Sequence, residues 1–211
     1  VLIVLAGVAV RVWMPHDSPD APPPASMTLP GSTASGLLFD PRMLAALGSG
    51  KTVISLRGVT GGIKAGKVFV LVPRLGEVED IVMKPAFAAH SEEVAEGAAV
   101  PVRYAAVVTD NVQVCEEEIR RLDPFLAYDL ESALKIFRTR KNPTFTVILR
   151  VFQLPQAAQV NKKKGWAYWV RLENEISLAG AVPVVPDGRF ETLRSDILRQ
   201  INSNHPFMGK V

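Results

Sequence analysis

The hydrophobic and polar positions predict short strands and helices that follow one another along the chain. Residues 40–48 carry apolar side chains at helical spacing, with Asp40 as the N-cap and Pro41 at the first helical position. Apolar and β-branched runs at residues 51–58 and 67–73 predict two strands. A long glycine-rich connection between these strands favours a hairpin.

The same reasoning extends to the second half of the chain. It predicts a third strand, two helices, two strong strands and a final helix. The third strand begins at Val100, and the two helices begin at Asp110 or Asn111 and at Asp123-Pro124. The two strong strands cover residues 144–155 and 166–172, and the final helix begins near Asp187. Strands and helices in this order predict an α+β fold, a single domain with a largely antiparallel sheet and about four helices.

The first 14 residues form an apolar segment that is too short for an isolated transmembrane helix, which needs about 20 apolar residues. One interpretation is that residues 1–14 end a longer hydrophobic segment, with Arg11 and Trp13 at the membrane interface. A buried strand or helix, or an apolar arm on a partner protein, are the alternatives.

Residues 15–38 are rich in Pro, Ser, Ala and Gly, a composition that favours extended, polyproline-like chain. Such a segment cannot pack a core of its own. We therefore expect an arm held along the domain or along a neighbouring protein, with Pro22, Pro23 and Pro24 as partner-binding residues. The globular α+β domain is expected to cover residues 39–211.

Composition and charge narrow the classes of function. Hydrophobic residues make up 48% of the chain and charged ones 21%, which is typical of an ordered protein. The formal net charge of +3 is small for a dedicated nucleic-acid binder. A single cysteine, Cys115, excludes an internal disulfide and a thiolate cluster for zinc.

The stretch ALGSGKT, residues 46–52 with Ala45 before it, resembles the end of a phosphate-binding loop. Such a loop leaves a strand and enters a helix, so that backbone amides converge on the phosphates. Here a predicted helix precedes the stretch and a predicted strand follows it. We therefore expect no nucleotide to bind there.

No candidate catalytic or metal-binding constellation stands out. Cys115 is expected to be a packed core thiol, and the adjacent Glu116, Glu117 and Glu118 are expected to form a solvated helix face. The histidines are scattered. The sequence therefore predicts no catalytic residues, no cofactor and no metal.

The stretch NKKKGWAYW, residues 161–169, places three lysines beside three aromatic residues. This combination can hold phosphates and stack bases, or contact an anionic membrane or a protein. The alternative is an ordinary hairpin turn followed by a strand, with Trp169 on the face opposite to the other two aromatics. The candidate partner-binding residues are Lys162, Lys163, Lys164, Trp166 and Tyr168.

Three segments, ALGSGKTVISLRG…GGI, LRVFQLP and GWAYWVRL, resemble those of the bacterial and cyanobacterial family called domain of unknown function 1802. The resemblance covers residues 39–201. The matching residues are Leu56, Arg57, Gly61, Gly62 and Ile63; Leu149, Arg150, Val151 and Leu154; and Gly165, Trp169, Val170 and Leu172. The resemblance implies no settled activity, although some members adjoin nuclease-like domains, which suggests restriction-modification roles. The chain departs from the family pattern at PRLGEVED and RGVTGG, and this counts against an inherited catalytic or nucleic-acid role.

These observations lead to two hypotheses about function. The first is a non-catalytic structural subunit of a larger, membrane-associated protein assembly. The cyanobacterial relatives imply a plastid, a thylakoid complex and photosynthesis as its setting. The alternative is a soluble, cytoplasmic accessory protein that associates with nucleic acid, although nucleic acid is the less expected partner.

Overall fold

The computed structural model describes residues 4–5, 8–9, 29–58, 63–74, 81–87, 99–139, 143–161 and 169–202. These ranges contain nine strands and four α-helices. The strands are β1 (Val4–Leu5), β2 (Val8–Ala9), β3 (Ser32–Phe39), β4 (Ile54–Gly58), β5 (Val68–Pro73), β6 (Ala99–Gln113), β7 (Thr144–Asn161), β8 (Trp169–Ser177) and β9 (Val182–Pro183). The helices are α1 (Pro41–Gly48), α2 (Glu116–Arg121), α3 (Leu130–Thr139) and α4 (Asp187–Asn202).

Seven of the strands form one sheet in the order β4-β7-β6-β5-β3-β8, with β9 paired to β7. Only β3 and β5 pair in parallel, and the other neighbours in this sheet are antiparallel. The predicted α+β fold with a largely antiparallel sheet and four helices is therefore confirmed. No helix in the described ranges has the length and apolar character that a membrane crossing requires.

Strand β3 lies inside the sheet, between β5 and β8. Its register places Gly36 opposite Val70 on one side and Val170 on the other. The sheet therefore begins at Ser32, within the range 15–38 that the sequence assigns to an extended arm.

One face of the sheet is covered by the helices. Met43 and Leu47 of α1 pack into a buried cluster with Phe39, Leu71 and Leu149. A second cluster joins α2, α3 and α4 to the sheet, and its members include Ile119, Leu134, Phe190, Ile197, Ile54 and Ile148. The helical layer thus covers this face from β4 and β7 across to β5 and β3.

The opposite face is covered by the sheet itself. Its buried cluster unites Val70 and Val102 with Leu154 of β7 and Leu172 of β8. Strands β7 and β8 are not neighbours in the sheet, yet they also line one groove of about 490 Å³. The sheet therefore curls so that the C-terminal half of β7 approaches β8.

Three local predictions were wrong. Strands β4 and β5 do not form a hairpin, because β4 pairs with β7 and β5 lies between β6 and β3. No helix starts at Asp110 or Asn111, because β6 stays paired with β7 as far as Gln113. Cross-strand pairing with distant residues overrides the local signals at these two places. The helix predicted from Asp123-Pro124 is displaced as well, because Asp123–Phe125 form a single 3-10 turn and α3 begins at Leu130.

Candidate binding cleft

The segment that resembles a phosphate-binding loop connects α1 to β4. The Asp40 carboxylate accepts a hydrogen bond from the Arg42 backbone N–H at 2.8 Å, which caps the helix as expected. The chain then turns through Gly50, whose φ is 68°, and enters β4. The Thr52 hydroxyl is buried and donates to the Phe125 carbonyl oxygen at 2.9 Å. The predicted helix-to-strand order is confirmed, and the segment lacks the strand-to-helix geometry that phosphate binding uses.

Cys115 is exposed at the N-cap of α2, so the expectation of a packed core thiol was wrong. The helix was expected to begin near Asp110, which would have placed this cysteine on its buried stripe. Because β6 continues to Gln113, Cys115 falls in the turn before α2 instead. Its backbone N–H donates to the Glu118 carboxylate at 2.7 Å.

The acidic residues of α2 form ion pairs on the protein surface. Glu116 accepts hydrogen bonds from Arg138 and from Arg120, each at 2.7 Å. The bond with Arg138 has the larger effect and the bond with Arg120 the smaller one, and together they lower the pKa of the Glu116 carboxyl to about 2. Glu116 therefore ties α2 to α3. The described residues contain no group of three or more His, Cys, Asp or Glu side chains arranged to hold a metal.

Two arginines in the segments that carry the family resemblance are buried. Arg57 donates to the Leu38 carbonyl oxygen at 3.0 Å. Arg150 donates to the Val185 carbonyl oxygen, and its guanidinium carbon lies 4.7 Å from the centre of the Phe190 ring. Both side chains fasten backbone segments to the core.

The strongest candidate site is a cleft of about 660 Å³ where β5, β3 and β8 lie side by side. The Trp169 indole of β8 stacks on the Phe69 ring of β5, with ring centroids 6.3 Å apart and planes 24° apart. Phe69 is buried, whereas Trp169 keeps 42% of its surface exposed. The buried Phe69 ring thus holds the large Trp169 ring at the protein surface.

Three cations line this cleft with the indole. Arg171 follows Trp169 by two positions, so both side chains leave β8 on the same face. Lys64 and Lys67 come from the turn that enters β5, where Gly66 has a φ of 82°. All three are exposed, and none forms an ion pair with a described residue. The described lining contains no carboxylate, so the cleft carries a local positive charge. We call the surface formed by Lys64, Lys67, Trp169 and Arg171 the basic cleft.

The site residues predicted from the sequence lie outside the described residues and stay predictions. They are Arg11, Trp13, Pro22, Pro23, Pro24, Lys162, Lys163, Lys164, Trp166 and Tyr168. Sequence reasoning missed Lys64, Lys67 and Arg171. The alternation of Trp169 and Arg171 along a strand could have placed these two together, but nothing local connects them with the lysines before β5.

Comparison with protein families identifies one match. The family described as domain of unknown function (DUF1802) matches residues 42–196. The chain therefore belongs to this family, and the resemblance seen in the three sequence segments is confirmed. No curated protein and no solved structure matches the chain.

Proposed function

We propose that the protein acts by binding rather than by catalysis, and that it holds an anionic partner in the basic cleft. The observation that carries the proposal is a group of three cations, none ion-paired with a described residue, that line one cleft with an exposed, stacked indole. The described lining includes no histidine, cysteine or carboxylate, the groups that most often perform acid–base or nucleophilic steps.

The charge balance of the chain supports a binding role for these cations. The sequence has 24 basic and 21 acidic residues, so the chain as a whole is nearly balanced and a cluster of cations without a carboxylate in its described lining departs from that balance. Lys64, Lys67 and Arg171 repel one another, and among the described residues no acidic side chain forms an ion pair with them. Surfaces of this kind attract anionic partners and accelerate their association. Tryptophan and arginine are also enriched at the centres of interfaces.

The test is the binding of a polyanion, heparin, to the full chain and to two matched double variants. Lys64→Glu with Lys67→Glu reverses two charges of the cleft. Arg74→Glu with Arg189→Glu makes the same change in net charge at exposed positions away from it. We expect the cleft variant to lose at least about tenfold in affinity, because a carboxylate in the cleft repels the ligand as well as removing a contact.

The control variant should lose much less affinity than the cleft variant. Three ionic contacts predict a slope of log K against log[salt] of about −2 for a flexible polyanion. An equal loss in both variants would show that net charge, and not this cleft, governs binding, and would contradict the proposal.

A second candidate function is that of a structural subunit in a larger protein assembly. Within the described chain, β8 pairs only with β3, so its other edge is open to a strand from another protein. The charged residues Arg171, Glu173 and Glu175 along β8 limit indiscriminate pairing at this edge. A partner strand with complementary charges could pair with the open edge of β8 and form ion pairs with the charged residues along it.

The membrane-associated, plastid or thylakoid setting of such an assembly stays a prediction. It is tested by purifying the tagged full chain and a variant lacking residues 1–28, which leaves β3 intact. A stoichiometric membrane complex that the truncated variant fails to form would support the setting. If both forms purify alone from the membrane and soluble fractions, the subunit hypothesis fails.

A further inference from the structure

We infer that the partner of the basic cleft is a single-stranded nucleic acid, with one unstacked base lying on the Trp169 indole. This inference rests on the proposed function and names the chemical class of the anion. It is carried by the combination of an aromatic platform with three cations that line the same cleft.

The indole is supported from below. Phe69 is 5% exposed and belongs to the buried cluster under α1, so it cannot move without disturbing the core. With Phe69 stacked against the ring, 42% of the Trp169 surface stays exposed. An aromatic ring fixed on a sheet in this way can stack a base, because every base has a π-face.

The cations are placed to contact the phosphates on either side of that base. Lys64 and Lys67 approach the cleft from the turn before β5, and Arg171 approaches from β8, with β3 between these two strands. A single strand that crosses the cleft from β5 to β8 would therefore meet positive charge on both of these strands, beside the indole. Single-strand binders combine a basic groove with stacking aromatics in the same manner.

The platform also distinguishes among anionic partners. In a duplex the bases are stacked on each other and their faces are inaccessible. An acidic peptide supplies carboxylates but no flat π-system for the indole. A purely electrostatic cleft would accept all three ligands, whereas the exposed indole favours the single strand.

The experiment compares two ligands of equal charge, and a DNA duplex and an oligoglutamate of similar length are titrated as further ligands. One is a labelled oligothymidylate of roughly 10 nucleotides, within the usual site sizes of about 4–16 nucleotides. The other is an abasic oligonucleotide of the same length, which keeps the phosphates and lacks the bases. Binding to the full chain is measured by fluorescence anisotropy for the natural protein, Trp169→Ala, Trp169→Phe and the control Val182→Ala, which truncates another exposed apolar residue.

We expect Trp169→Ala to weaken oligothymidylate binding by about 5- to 150-fold, the range for one stacked base. Trp169→Phe, which keeps an aromatic face, should lose less, and Val182→Ala should change nothing. None of the variants should alter binding of the abasic ligand. Melting curves identify any variant that is unfolded, and the phenylalanine variant keeps the test valid if the alanine variant fails to fold.

The outcomes separate the two proposals. If Trp169→Ala binds both ligands as the natural protein does, or if a duplex or an oligoglutamate binds more tightly than oligothymidylate, the single-strand inference is overturned. In that case a loss of binding in the Lys64→Glu, Lys67→Glu variant would still uphold the proposed function. If the charge reversals also have no effect, both fail.

Discussion

Replacement of Arg150 by methionine tests how the buried arginine fastens α4 to the sheet. Methionine keeps most of the apolar stem and removes the guanidinium. The lost hydrogen bond to the buried Val185 carbonyl is worth about 1.5–3 kcal/mol, because its donor is charged. Loss of the guanidinium from above the Phe190 ring adds about 0.5–2 kcal/mol. The Asp187 side chain is 80% exposed, so its ion pair with Arg150 adds only about 0–1 kcal/mol.

We therefore expect Arg150→Met to lower the free energy of unfolding by about 2–6 kcal/mol. The assay is urea unfolding followed by circular dichroism, with linear extrapolation to water. Asp187→Asn is the matched control, since it keeps an acceptor oxygen and should cost at most about 1 kcal/mol. A loss below about 1 kcal/mol for Arg150→Met, or equal losses in the two variants, would refute the reasoning. It would show that the buried contacts of Arg150 are not its main contribution to the free energy of unfolding.

Three further predictions concern other parts of the fold. Because the folded-state pKa of Glu116 is about 2 against an ordinary value of 4.5, its contribution to stability is complete above pH 4.5 and disappears as the pH falls to about 2. Glu116→Gln should therefore melt at a lower temperature than the natural protein at pH 7, and a difference that persists at pH 2 would contradict the assignment. Cys115 should react with a maleimide in the folded protein, and protection until unfolding would show that it is buried. Gly36→Ala should destabilise the protein by about 1–3 kcal/mol in urea unfolding, because the added Cβ would lie 2.7 Å from the Val170 Cγ2; a neutral effect would show that the sheet adjusts freely there.

Helix ends and the strongest strands could be predicted because their signals are local. Asp40 and Pro41 mark the start of α1, and α4 begins at the predicted Asp187. The run of β-branched and aromatic residues from Thr144 favours a strand regardless of its neighbours, and β7 begins there. Capping and side-chain branching act within a few residues, so a sequence displays them directly.

Strand pairing could not be predicted because it depends on distant residues. Asp110 and Asn111 are good helix caps, yet here they continue β6 opposite Ile148 and Val147. Asp110 is also held by Arg194 of α4 through hydrogen bonds of 2.6 and 2.7 Å, which raise the pKa of that guanidinium. A contact between positions so far apart leaves no local pattern.

The basic cleft also combines features that are set by the local sequence with features that are set by the pairing of distant strands. The alternation of Trp169 and Arg171 along β8 is local and could be predicted from the strand. The position of Lys67 beside them depends on the parallel pairing of β3 with β5 and on the placement of β8 against β3. The sequence drew attention instead to the lysines at 162–164, whose placement lies outside the described residues.

The most direct test of the central claim, that the partner is held in the basic cleft, is the NMR signal of the Trp169 indole N–H in the ¹⁵N-labelled full chain. The signal is assigned by its loss in Trp169→Phe, and oligothymidylate is added until anisotropy shows saturation. The account predicts that this signal shifts in step with binding. Saturable binding that leaves the Trp169 signal unchanged would contradict it.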